Sequence, residues 1–204
     1  MLRIYLVRHG ETIWNREGRL QGHSDAPLSE EGREQAGRLA ARLTAEPLCS
    51  VWTSDLRRAS ETAAVIALPH GLKPRASVLL RERCAGDWEG LTREEIRARG
   101  ERPALTANFQ DTVYTGPPNA EPMEAVWERL VAALGEIRAA HAEGTVCVVG
   151  HGGSLRVLLC EVIGAGIASM RRLWLDNASL SLIEYDDEGR QWVRFVNDTS
   201  HLLG

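Results

Sequence analysis

Lysine is almost missing from this chain: of 24 basic residues only Lys73 is a lysine, and the rest are arginine. That leaves little material for Schiff-base chemistry, whereas arginine suits bidentate binding of phosphate or carboxylate. Cysteine is sparse as well. Cys49, Cys84, Cys147 and Cys160 form no CxxC pair and no Cys/His ligand spacing, so no metal site is expected. Three of them, Cys49, Cys147 and Cys160, stand in apolar surroundings and read as small core residues, which argues for a reducing compartment. No apolar run approaches the roughly 18 residues of a membrane span. Met1-Leu2-Arg3 leads straight into a strand too short for a leader's apolar region. A net charge of -4 gives no reason to expect nucleic acid. Repeats, low-complexity tracts and linkers are lacking too. The expectation is a cytoplasmic protein with neither membrane nor nucleic acid as partner.

What is present fits one globular domain over residues 1–204, with 44% hydrophobic and 25% charged residues. Apolar runs at Ile4–Val7, Leu48–Trp52 and Thr145–Val149 read as buried strands, with further strands expected at Ala76–Leu80, Arg172–Leu175, Ser179–Tyr185 and Trp192–Val196. Helices are expected after Ser29 (apolar face Ala36, Leu39, Ala40, Leu43), from about Leu56 to Leu68, from Thr92, through Val126–Ile137, and from about Leu155 to Ile163. Trp14–Pro27 reads as a loop, and residues 100–122 as a lid or insertion over the site. Strand-helix alternation with a hairpin near the end predicts an α/β fold: a three-layer α/β/α sandwich on a mainly parallel, mixed central sheet.

Two histidines share one context. Arg8-His9-Gly10-Glu11-Thr12 follows the first strand, and Gly150-His151-Gly152-Gly153-Ser154 follows the Val149 strand. Either histidine alone could be structural. If the two strands are parallel neighbours, both imidazoles meet at the carboxyl edge of the sheet, where open α/β sheets bind ligands. The glycines after His151 offer backbone N–H groups at a helix start, which favours an anion. Of Arg57 and Arg58, one can be a solvated charge while the other reaches an anion beside Arg8. Glu82 lies on the same edge, either as a surface salt-bridge partner or as a proton donor to a leaving oxygen.

The stretch from Leu6 to Asn15 resembles the signature of the histidine phosphatase superfamily, phosphoglycerate mutase-like branch. Arg19-Leu20-Gln21-Gly22, Leu28-Ser29 with Gly32, Ser54–Thr62, Leu80-Arg81-Glu82 with Gly86–Gly90, Val149–Gly153 and the tail at Asn177-Ala178-Ser179 and Asn197–Leu202 extend the likeness over nearly the whole chain. The resemblance implies His9 as the nucleophile that forms a phosphohistidine and Glu82 as general acid and then base. It implies that Arg8, Arg58 and His151 hold the phosphoryl oxygens, with Asn15, Gln21 and the backbone at Gly22 and Gly152 completing the pocket. It calls for no metal and no cofactor. The substrate class it implies is a small-molecule phosphomonoester, and the oligomeric state is open, a homodimer being one option.

Hydrolysis and phosphoryl shuffling share this fold. Mutases of the family carry basic residues between the acid and the second histidine, yet no Lys or Arg lies between Arg102 and Arg129 here, which favours a phosphatase. Arg83 points the other way, because it matches a position where mutases hold the acidic end of the substrate; the aromatic expected two residues on is Ala85. The family's Gly-Glu-Ser before the long helix is Ala120-Glu121-Pro122 here. A catalytically idle binding protein is the third reading, and the intact set of five charged and imidazole residues speaks against it.

Overall fold

The computed structural model describes residues 1–101 and 117–203. Six strands form one sheet: β1 (Leu2–Arg8), β2 (Leu48–Ser54), β3 (Arg75–Ser77), β4 (Gly144–Gly150), β5 (Leu180–Tyr185) and β6 (Gln191–Asp198). Their order is β3-β2-β4-β1-β5-β6. Pairings among β3, β2, β4 and β1 are parallel, and β5 and β6 add antiparallel to the β1 side. The helices are α1 (Ile13–Arg16), α2 (Glu30–Leu43), α3 (Arg57–Ala67), α4 (Arg93–Ala98), α5 (Met123–Ala140) and α6 (Gly152–Val162).

Both faces of the sheet are covered, which is why the central strands are continuously apolar rather than alternating. On one face Ile4, Leu6, Val146 and Val148 pack with Val126, Leu130 and Ile137 of α5 and Leu155 and Leu158 of α6. On the other, Tyr5, Val7, Cys147 and Val149 pack with Leu39 and Leu43 of α2 and Ala59, Ala63 and Ile66 of α3. The expected three-layer mixed α/β architecture is the observed one. Ser29 caps α2, its side chain accepting from the Gly32 N–H as its place before two glutamates predicts.

Some local expectations give way. The strand expected at 76–80 pairs only through Ser77; Val78–Leu80 is a 3-10 turn, with the Ser77 hydroxyl accepting from the Leu79 N–H. The strand expected at 172–175 is absent: Ile167–Arg172 is a 3-10 turn, and the Leu175 carbonyl is held by the Arg8 side chain rather than by a neighbouring strand. The expected loop after Trp14 starts with a one-turn helix, α1, closed by a capping box between Thr12 and Asn15. Helix α3 is capped at Leu56, while Ser54 Oγ accepts from the Leu56 N–H just outside it. Helix α6 begins at Gly152, earlier than expected, because glycine there meets a packing need rather than breaking the helix. Cys147 and Cys160 are core residues, but Cys49 is exposed, next to a register shift between Leu48 and Ser50. Most of the expected lid, residues 102–116, lies outside the described residues; 117–122 fold back on the loop around Cys84–Asp87.

Candidate active site

β1 and β4 are parallel neighbours in a register that sets Arg8 opposite Gly150. Their next residues, His9 and His151, therefore leave the same edge together, and the His9 N–H donates to the Gly150 carbonyl at 3.0 Å. The two rings lie 5.2 Å apart, centroid to centroid, at an edge-on angle of 61°. Just before β5, Ala178 sits at φ 56, a left-handed conformation costly for alanine. That bend lets the Ala178 N–H and the Asn177 side chain, both at 3.1 Å, donate to the His9 carbonyl. Close backbone crossing fixes the other side: a methyl on Gly10 would collide with the Gly32 backbone in the first turn of α2, and one on Gly32 with the Glu11 backbone.

The ring nitrogens are differentiated by their partners. His9 Nδ1 faces the Gly10 carbonyl at 2.7 Å and must donate there, so Nε2 carries the lone pair. His151 is the reverse: its Nδ1 accepts from Arg58 Nε at 3.2 Å, so Nε2 bears the proton, and that buried Nε2–H has no acceptor among the described residues. Burial first, and then Arg58 and Arg8, push His9 well below the ordinary imidazole value of 6.5. Burial, with Arg58 foremost among the charges, does the same to His151. Both rings are neutral at neutral pH.

Arg58 is 1% exposed and donates from all three nitrogens, Nε to His151, Nη1 to the Ser24 carbonyl at 2.9 Å and Nη2 to the Gly22 carbonyl at 2.7 Å. It holds the Gln21–Ser24 loop over the histidines. Arg8 Nη1 donates to the Leu175 carbonyl at 2.7 Å, while its buried Nε lacks a partner among the described residues. Burial lowers this guanidinium to about 10, still charged at neutral pH. Gln21 Oε1 is a third buried polar atom with no partner among the described residues, and its amide can turn to present the NH2. Asn15 Oδ1 accepts from the Thr12 backbone, the Thr12 hydroxyl and Asn177, which leaves the NH2 for a ligand.

Glu82 reaches in from the segment after the 3-10 turn at Val78–Leu80. Its Oε2 accepts from the Gly153 N–H and its Oε1 from the Arg83 N–H, each at 2.8 Å. Any side chain at residue 153 would overlap this carboxylate. Its backbone is fixed by Arg129 of α5, which donates to the carbonyls of Leu79, Arg81 and Glu82 and pairs twice with Glu121. Glu121, kept from the family's pattern despite its altered neighbours, is thus part of the support. Arg83 Nε donates to the Glu121 carbonyl at 2.6 Å.

Arg8, His9, Asn15, Gln21, Gly22, Arg58, Glu82, Arg83 and Gly152 line one cleft of about 830 Å³, and His151 backs its floor. All ten sequence-predicted site residues thus converge. Three others escape sequence reasoning. Arg156 lies one helical turn after Gly152, a spacing that could have found it; Asn177 stands out in sequence only as part of the tail; Arg129 shows no local signal. Among the described residues no group of three or more His, Cys, Asp or Glu side chains is placed to hold a metal ion.

A neutral imidazole with its lone pair toward a cleft, ringed by buried cationic and N–H donors and faced by one carboxyl, is a site for transferring a phosphoryl group. The chain belongs to the histidine phosphatase superfamily (branch 1), whose family model matches residues 4–198. Among its relatives is the "Probable phosphoglycerate mutase GpmB" of Yersinia enterocolitica, 36% identical over 99% of this chain and 95% of the relative. Bacillus stearothermophilus YhfR shares 35% identity and a TM-score of 0.89, covering 99% of this chain and 100% of that one. Mycobacterial glucosyl-3-phosphoglycerate phosphatase Rv2419c, solved with VO3, is 32% identical with a TM-score of 0.83, covering 97% and 99%.

Proposed function

We propose that this protein is a phosphomonoesterase that works through a phosphohistidine at His9 on small phosphorylated metabolites. The observation that carries the reading is the paired tautomer lock: Gly10 turns the His9 lone pair to Nε2, and Arg58 turns the His151 proton to Nε2. His9 Nε2 attacks phosphorus, the bond to the substrate oxygen breaks, and Glu82 gives its proton to the departing alcohol. Arg8, Arg58 and His151, with Asn15, Gln21 and the Gly22 and Gly152 backbone, compensate the equatorial oxygens. Water then attacks the phosphohistidine while Glu82 takes its proton back; the P–N bond breaks and phosphate leaves.

Relatives named as phosphatases and an acid-to-histidine segment without basic residues between Arg102 and Arg129 support hydrolysis. The four unpaired cysteines support a cytoplasmic setting. A mutase reading has its own support in the relatives named as probable phosphoglycerate mutases and in the arginines at the wall near Glu82. Wild-type protein is expected to release nitrophenol from p-nitrophenyl phosphate, and His9→Ala to lose about a thousandfold or more of that rate. No release by the wild type at any pH between about 5 and 9 would sink the phosphatase reading, since that range brackets the working state of a neutral imidazole. Rapid 3- to 2-phosphoglycerate conversion requiring a bisphosphate primer would replace it with the mutase.

A further inference from the structure

Arg156 is not used by the chemistry just described. It stands on α6, its Nε donating to the Gly152 carbonyl at 2.8 Å one turn back along the helix. It is half-buried, lines the same cleft, and has no ion pair with any carboxylate among the described residues. Of the neighbouring arginines, Arg58 donates from all three nitrogens, while Arg8 and Arg83, like Arg156, each donate to a backbone carbonyl. A guanidinium taken largely out of water with no carboxylate in direct contact is costly. Such a charge is kept where a ligand supplies the missing partner.

The position says which part of the ligand. The Gly152–Gly153 turn separates two groups. Arg8 lies against Gly152 on the side of the histidines, and Glu82 rests on the Gly153 N–H. Arg156, anchored to Gly152 from within the helix, has Glu82 as the foremost charge acting on it. Glu82 is where the leaving oxygen must be, so Arg156 stands beside the leaving group. A planar guanidinium with one edge held by backbone and the other turned to a cleft matches a carboxylate in bidentate fashion.

We propose that Arg156 is a specificity residue that binds a carboxylate on the leaving alcohol, so that the preferred substrates are phosphate esters of hydroxy acids. This rests on the phosphomonoesterase reading. The test compares 3-phosphoglycerate with glycerol 3-phosphate, which has CH2OH in place of the carboxylate. Wild-type kcat/KM is expected to favour 3-phosphoglycerate by about 10- to 100-fold, the scale of a charge-assisted hydrogen-bond pair. Arg156→Gln is expected to abolish that ratio, and Arg156→Lys to restore part of it. A ratio near one in the wild type, or one that survives Arg156→Gln, overturns the proposal, as does an equal loss on both esters in a folded variant.

A second measurement needs neither a variant nor turnover. Phosphonoacetate should bind wild-type protein about tenfold or more tightly than ethylphosphonate, read by thermal shift. Equal binding overturns the subsite. Failure to hydrolyse even p-nitrophenyl phosphate, with phosphonoacetate still preferred, would instead sink the hydrolase reading and leave the carboxylate site standing.

Discussion

His9 and His151 are chemically the same side chain with opposite hydrogen-bond assignments, and the difference is made by one neighbour each. A backbone carbonyl makes a donor of His9 Nδ1, and a guanidinium makes an acceptor of His151 Nδ1. Both rings are buried among arginines, so both resist protonation in the folded chain. Unfolded, they would protonate near 6.5. Between that value and their lower folded values the unfolded chain binds more protons, so stability is full above about pH 6.5 and declines as pH falls below it. Each ring contributes a slope of up to about 1.4 kcal/mol per pH unit in that window. Urea denaturation at about pH 8, 6.5 and 5.5 should show the decline, and His9→Gln should flatten it. Equal slopes for the two proteins would show that His9 is not buried neutral. The same depression predicts that kcat/KM on p-nitrophenyl phosphate holds its acid side well below about pH 6.5.

The elements explain why some of the site was readable and some not. Strand β1 could be read as buried because Ile4 to Val7 is apolar at every position, and both sheet faces are covered. Residues directly after such a strand fall at its carboxyl edge, so His9 and His151 could be placed from sequence alone, whereas Glu82 follows a 3-10 turn where a strand up to Leu80 is expected. Arg129 could not, because its role is to clamp a segment 50 residues away by three carbonyls, a contact invisible in local pattern. The missed start of α6 has the same origin. Gly152 and Gly153 look like helix breakers in sequence, whereas in the fold they let Arg8 and Glu82 approach the helix end. Gly153→Ala therefore should fold, since the helical backbone accepts alanine, and should push the Glu82 carboxylate aside. Alkyl phosphates, whose leaving oxygen needs a proton, are expected to lose about 100-fold in kcat, and p-nitrophenyl phosphate much less. Equal losses on the two would mean that Glu82 acts on the phosphoryl group instead. Arg129→Leu is expected to give the same leaving-group signature, with about 1–3 kcal/mol of stability lost as Glu121 is left unpaired.

At the scale of the whole molecule, a chain of net charge -4 gathers arginines into one cleft and leaves two donors there, Arg8 Nε and His151 Nε2, unsatisfied by the described residues. Unpartnered buried donors cost stability in the unliganded fold. The fold is therefore arranged to be stabilised by what it binds. A tetrahedral oxyanion that accepts from Arg8 Nε and His151 Nε2 binds only the folded state, so saturation to about 100 times its Kd adds about 2.7 kcal/mol. For a chain of this size that corresponds to a rise in Tm of about 5–10 °C. Orthovanadate at millimolar concentration should produce that rise, and sodium chloride at matched ionic strength should not. Arg8→Gln should lose most of it, because the remaining donors cannot compensate the charge alone. A shift of equal size with chloride, or one unchanged in Arg8→Gln, would mean that the donors around His9 do not form an oxyanion site, and with that the covalent role proposed for His9 would lose its physical basis.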